Sequence, residues 1–214
     1  MLRYQVIPVT AFAQNATLVW CDQSMEGALI DPGGEPEKLL DAVKQAGVKL
    51  SKVLLTHGHL DHVGAAQHLS SELQLPIEGP HLADQFWLDA LVQQAQMFGF
   101  PPAQAFHPDR WLAQGDEVQV GEEVLQVRHC PGHTPGHVIF YHAATQWAQV
   151  GDVLFKGSIG RTDFPGGDHD TLIRSIHEQL FSLGDEVRFV PGHGPESSFG
   201  AERRGNPFVS GRFG

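Results

Sequence analysis

The chain has 214 residues and a formal net charge of −11, with 41% hydrophobic and 18% charged residues. That much apolar material supports a sizeable core and argues against disorder, while an acidic balance with no basic run argues against nucleic acid as a partner. The 24 glycines and 14 prolines suit short strands and tight turns better than a helical bundle, and no apolar run approaches the ~18 residues of a membrane span.

In chain order, Tyr4–Thr10 and Ala16–Cys21 read as strands, and Gly27–Ile30 as a third, ended by the turn signal Asp31-Pro32-Gly33-Gly34. Glu35–Ala46 reads as a helix with Leu39, Leu40, Val43 and Ala46 on one face and Gly47 at its C-terminus. Lys52–Leu55 is a short apolar run that predicts a buried strand, Thr56–His62 is polar and turn-like, and Val63–Leu73 is helical. Pro80–Phe98 predicts a further helix, and the proline-bearing Gly99–Asp109 a loop. Glu117–Val120 with Glu123–His129, and His137–His142 with Gln146–Val150, predict two hairpins. Asp168–Leu180 reads as a helix and Val187–Val190 as a strand; Pro207 and Gly211 mark a short tail from about residue 206. This order predicts a single domain over residues 1–214, a four-layer α/β arrangement of two sheets with helices outside. Met1–Thr10 lacks signal-peptide regions, and Cys21 and Cys130 make no disulfide framework. A soluble cytoplasmic protein without a Cys21–Cys130 bond is expected.

The informative segment is Thr56-His57-Gly58-His59-Leu60-Asp61-His62, which follows the apolar Val53-Leu54-Leu55. Residues two apart in an extended segment point to one side, so His57 and His59 can reach one cation. Where the chain turns into the helix, Asp61 and His62 can be aimed at a second, and Gly58 removes bulk between them. Imidazole and carboxylate are ligands that borderline cations such as Zn²⁺ prefer. Three further apolar runs end next to glycine with a His or Asp: Cys130-Pro131-Gly132-His133, Val150-Gly151-Asp152 and Val190-Pro191-Gly192-His193. Strand ends held by a sheet are good places to converge ligands.

These four motifs, T-H-x-H-x-D-H and the three that follow in order, resemble the metallo-β-lactamase superfamily over nearly the whole chain. The resemblance implies the four-layer αββα metallo-β-lactamase sandwich and a two-metal site. It places His57, His59 and His133 on the first metal, Asp61, His62 and His193 on the second, and Asp152 as the bridge. Zn²⁺ is the metal implied, with the second site open to partial occupancy and Fe or Mn as alternatives. An aspartate at position 152, where the common zinc β-lactamases carry cysteine, argues against β-lactam hydrolysis, and His59 departs from the H-x-E-x-D-H form of the flavodiiron oxygen reductases.

Paired cations lower the pKa of a shared water so that hydroxide forms near neutral pH. A thiolate, from a thiol of pKa ~8.5, then leaves without a strong general acid, which suits thioesters. Finer motifs resemble the glyoxalase II branch: Gly151-Asp152-Val153-Leu154-Phe155 followed by Gly160-Arg161, Pro191-Gly192-His193-Gly194-Pro195, and Glu202-Arg203 with Asn206-Pro207-Phe208. The resemblance implies hydrolysis of S-D-lactoylglutathione, the thioester of methylglyoxal detoxification, to glutathione and D-lactate. It assigns Asp61 and Asp152 to catalysis and Arg161 to the glutathione part of a small-molecule substrate, and says nothing of protein partners. The helical C-terminal domain of the longer glyoxalase II enzymes has no counterpart here, so the chain is closest to their short bacterial type.

Two other readings stay open. The segment Gly160-Arg161-Thr162-Asp163-Phe164 is shared with Fe(II)-dependent glutathione persulfide dioxygenases, which use ligands equivalent to His57, His133 and Asp152 but end in P-A-H-D-Y rather than P-G-H-G-P. A non-catalytic zinc-binding module is the third. His137 is expected to make supporting hydrogen bonds rather than hold metal, and Cys130 to be a packed thiol. His68, His81, His107, His142, His169 and His177 are expected to be surface or structural, with Asp163 and His169 as possible loop supports. Phe86, Trp87, Met97 and Phe98 are expected in the core rather than against substrate, and Asp31 in a turn, with support of the metal loop as its alternative.

Overall fold

In the computed structural model, which describes residues 1–210, β1 (Leu2–Val9), β2 (Gln14–Cys21) and β3 (Glu26–Ile30) form an antiparallel meander. The helix α1 (Pro36–Ala46) carries the chain back so that β4 (Lys49–Leu54) pairs parallel to β3. Gly47 ends α1 in a left-handed conformation, its N–H returning to the carbonyls of Lys44 and Val43. The short α2 (Leu60–Val63) and α3 (Ala66–Leu73) then lead to β5 (Ile77–Glu78), which completes a five-stranded sheet in the order β1-β2-β3-β4-β5.

The second half repeats this plan. The strands β6 (Glu117–Val120), β7 (Glu123–His129), β8 (Val138–His142) and β9 (Trp147–Gly151) form antiparallel neighbours. A small hairpin, β10 (Leu154–Phe155) and β11 (Ser158–Ile159), follows. Next come α6 (His169–Ser175), β12 (Arg188–Pro191) lying parallel to β9, β13 (Ser197–Ser198) and α7 (Phe199–Gly205). The six-stranded sheet has the order β13-β12-β9-β8-β7-β6.

Strand alternation builds the layers. Val19, Ile30 and Leu54 point from the first sheet into one core with Val127, Phe140 and Val190 of the second. Their sequence neighbours point outward: Leu18 and Leu29 meet Leu39 and Val43 of α1, and Phe189 meets Leu172 and Phe199 of the other helical layer. The result is an αββα sandwich, as the motifs imply. No helix among the described residues is long and apolar enough to cross a membrane.

Two expectations need correcting. The predicted Pro80–Phe98 helix breaks into a 3-10 turn at Leu82–Asp84, α4 (Gln85–Asp89) and α5 (Leu91–Phe98). The break turns Leu88, Leu91 and Ala95 onto the sheet. Phe86, Met97 and Phe98, expected in the core, are left exposed, Phe98 lying edge-on to Phe12. The strand β2 also begins earlier than expected, at Gln14, so that Gln14 and Asn15 are buried. In the tail, Asn206 and Val209 are buried; Gly211 lies outside the described residues.

Candidate metal centre

Parallel pairing places the C-terminal ends of β3, β4, β9 and β12 on one edge of the sandwich, and β7, antiparallel to β8, ends there too. Asp31 follows β3, His57 follows β4, His133 follows β7, Asp152 follows β9 and His193 follows β12. Asp61 and His62 lie on α2. Six of the seven side chains form two groups: the ligand atoms of His57, His59 and His133 lie within 4.8 Å of one another, as do those of Asp61, His62 and His193. Asp152 stands between them. Its Oδ1 is 3.4 Å from His62 Nε2, and its Oδ2 is 3.6 Å from His133 Nε2 and 3.7 Å from His193 Nε2. The approach is close enough that a Cβ on Gly192 would fall 2.0 Å from Asp152 Oδ1, so position 192 has no room for a side chain.

Hydrogen bonds on the far side of four of the five rings decide which nitrogen faces inward. The Thr56 hydroxyl donates to Asp31 Oδ2 at 2.6 Å, so its oxygen accepts the proton of His57 Nδ1 at 3.0 Å. His62 Nδ1 donates to Asp31 Oδ2 (3.0 Å), His133 Nδ1 to the Arg161 carbonyl (2.7 Å) and His193 Nδ1 to the Phe12 carbonyl (3.1 Å). Each acceptor leaves Nε2 to offer a lone pair to the centre. His59 turns its Nδ1 inward instead, 3.0 Å from His133 Nε2. Nε2 of His57 and His62 and Oδ1 of Asp152 are buried without a hydrogen-bond partner. Orphaned polar atoms of this kind are costly unless something binds them, and converging imidazole lone pairs with carboxylates fit a pair of divalent cations.

Charge is divided between the groups. Burial holds His57 well below its ordinary pKa and lowers His59 to about 3, keeping both neutral, the form that binds metal. Burial opposes charge on His62 as well, but Asp152 and Asp61 outweigh it and raise that ring well above its usual value. Burial would likewise raise Asp152, yet His62, His133 and His193 hold it far below the usual carboxylate range.

Of the residues singled out in the sequence, His137 is fully buried and its Nε2 accepts the backbone N–H of Asp152 at 3.0 Å, so it supports Asp152. Arg161 sits at the rim with its guanidinium exposed. It donates to Asp163 at 2.9 and 2.7 Å and lies 4.5 Å over the Phe164 ring, while its carbonyl fixes His133. Trp87 stands edge-on to His59, with ring centroids 4.4 Å apart, rather than in the core. Glu202 and Asn206 anchor the small hairpin: Glu202 accepts the Gly157 N–H at 2.8 Å, and Asn206 donates to the Ser158 carbonyl at 2.9 Å. Cys21 and Cys130 are both buried free thiols.

Sequence reasoning missed two supports and gave a third, Asp31, only as its second reading. Asp31 is no mere turn residue, since it accepts from Thr56 and His62. Asn15 donates to the carbonyls of Pro191 and Gly194 at 3.0 and 2.8 Å, clamping the loop of His193. Asp84 is a buried acid that carries no motif. A polar residue at one end of an apolar strand, the C-terminal end of β3 for Asp31 and the N-terminal end of β2 for Asn15, was the available signal.

Comparison with known proteins agrees with this geometry. The family model described as the metallo-beta-lactamase superfamily matches residues 9–193. The hydroxyacylglutathione hydrolase GloC of Haemophilus influenzae is 46% identical over 210 residues, covering 98% of this chain and 99% of that protein. Among solved structures, the BLEG-1 B3 metallo-beta-lactamase has a TM-score of 0.90 at 34% identity, covering 98% of this chain and 100% of its own. The protein TTHA1623, solved in a di-iron-bound form, has a TM-score of 0.87 at 40% identity, covering 96% of this chain and 100% of its own.

Proposed function

The chain belongs to the metallo-beta-lactamase superfamily, and from that premise we propose that it is a metal-dependent thioester hydrolase of the glyoxalase II type. Its substrate is a small hydroxyacylglutathione, S-D-lactoylglutathione in the first instance, cleaved to glutathione and the hydroxy acid. The observation that carries the reading is the placement of Asp152, one carboxylate facing two groups of histidines. The identity with GloC over nearly the whole of both chains supports the substrate class.

In this reading His57, His59 and His133 would hold one divalent cation and Asp61, His62 and His193 a second, with Asp152 placed to serve both. Bound there, the cations supply an acidified water and polarise the thioester carbonyl. The chain does the rest. Thr56, Asp31 and the carbonyls of Arg161 and Phe12 hold the rings in register before substrate arrives. Asp61, whose side chain is 23% exposed against 12% for Asp152, faces the opening and is placed to take a proton from the attacking water. No cysteine nucleophile competes, because Cys130 is fully buried and burial pushes its thiol up. Arg161, at the rim, attracts the anionic glutathione part. The donor set of imidazoles and carboxylates suits Zn²⁺, Fe and Mn; zinc is the first assignment, and the di-iron relative makes iron the alternative. Two buried free thiols support a cytoplasmic setting.

The test is thiol release from S-D-lactoylglutathione by the purified protein, with metal analysis. Oxygen uptake on glutathione persulfide and hydrolysis of a β-lactam run alongside. Thiol release should dominate, since a one-iron dioxygenase site would leave the assembled Asp61–His62–His193 group without use. His57→Ala and Asp152→Ala should each lose hydrolysis by several orders of magnitude and bind less metal; full activity and full metal in both would overturn the reading.

A further inference from the structure

Asp84 belongs to none of the ligand motifs, yet its carboxylate is fully buried behind them. Oδ2 accepts the N–H of Gly58 at 2.9 Å and the hydroxyl of Thr134 at 2.8 Å, and Oδ1 accepts the N–H of Gly136. Gly58 stands between His57 and His59; Thr134 follows His133, and Gly136 closes the same loop. One carboxylate therefore joins two loops whose histidines, His59 and His133, are 74 positions apart in sequence and 3.0 Å apart in space.

The acid is itself held in place. Its backbone N–H donates to the His81 carbonyl, and the His81 N–H donates to the Gly136 carbonyl, each at 3.0 Å. A Cβ on Gly136 would fall 2.6 Å from Asp84 Cγ, so the His133 loop closes on the carboxylate only because that position carries no side chain. The second group is supported elsewhere: His62 by Asp31 and His193 by the Phe12 carbonyl. Every bond at the Asp84 carboxylate is one it accepts, and two of the donors are backbone N–H groups that cannot reverse. Neither an amide nor an apolar side chain satisfies all three.

We propose that Asp84 is a positioning residue that sets the cation affinity of the His57–His59–His133 group, independently of the Asp61–His62–His193 group. The inference rests on the two-cation reading above. Its physical content is preorganisation: three imidazoles from two loops bind tightly only if those loops are fixed relative to each other before the cation arrives.

Two single-group backgrounds test this, with zinc titrated against a competing chelator. In His193→Ala, which leaves the first group complete, adding Asp84→Asn should weaken zinc binding ten- to a hundred-fold, roughly the loss typical of a ligand's support. In His57→Ala, which leaves the second group complete, the same change should alter affinity by less than about two-fold. The visible spectrum of the cobalt-loaded protein should shift in the first background only. Thr134→Val removes one of the three bonds, should give a several-fold loss at the first group alone, and decides the matter if Asp84→Asn does not fold. Equal weakening in both backgrounds, or none in the first, overturns the proposal while leaving the metal reading intact. A wild-type chain that takes up no zinc, iron or manganese overturns both.

Discussion

Replacing Asp31 with alanine should destabilise the metal-free protein far more than loss of a turn residue would. The carboxylate is fully buried. It accepts the Thr56 N–H at 2.7 Å, the Thr56 hydroxyl at 2.6 Å and His62 Nδ1 at 3.0 Å. In Asp31→Ala the hydroxyl can turn away, but the Thr56 N–H and the His62 Nδ1–H stay behind as buried donors, each costing about 1–3 kcal/mol. The backbone at this position has φ +50°, a conformation aspartate tolerates better than alanine, which adds about 1 kcal/mol. The sum is about 3–7 kcal/mol, and for a chain of this length each kcal/mol lowers Tm by roughly 2–4 °C. Denaturant and thermal unfolding of metal-free wild type, Asp31→Ala and Asp31→Asn at pH 7 measure it. Asp31→Asn keeps one acceptor and tolerates the positive φ, so it should fall between the other two. A loss below about 1 kcal/mol in Asp31→Ala would show that these bonds do not hold the site together.

Metal-free stability should also depend on pH from both sides. Burial opposes a charged His62, but Asp152 and Asp61 raise its folded pKa above the ordinary 6.5; its contribution is therefore complete below about 6.5 and is lost as pH rises through the folded value. Asp152 is depressed below 3.8, so its contribution is present above about 3.8 and is lost as pH falls. His57 and His59, which burial holds neutral below the ordinary 6.5, cost stability as pH falls below about 6.5, because the unfolded chain takes up their protons first. Unfolding midpoints should thus be highest near pH 6.5 and fall on either side, and zinc uptake at pH 6.5 should release protons; a flat profile from pH 5 to 9 contradicts this charge balance. Arg161→Ala should mainly raise KM for glutathione thioesters, and Asp163→Ala, which frees the guanidinium from its two bonds, should lower it. Steady-state kinetics showing an unchanged KM in both would reject a substrate role for that rim.

Much of this protein was legible before any coordinates. Alternating apolar runs marked most strands of both sheets, and Gly47 correctly ended α1. Histidines and aspartates at or just past the ends of those runs marked the seven side chains that the fold brings together, because a strand end is a local feature that residue order displays. The supports were barely legible: Asp31 alone was singled out, and first as a turn residue. Asp31, Asn15 and Asp84 act on partners 25, 176 and 50 positions away, at His57's neighbour Thr56, at Pro191 and at Thr134. Nor did composition reveal that α4 and α5 part at Ala90 and bring Trp87 against His59. Periodicity reports which face of its own element a residue occupies; separations between elements come from sheet register and layer packing. Only the folded chain decides whether a buried carboxylate meets the two N–H groups that give it a purpose.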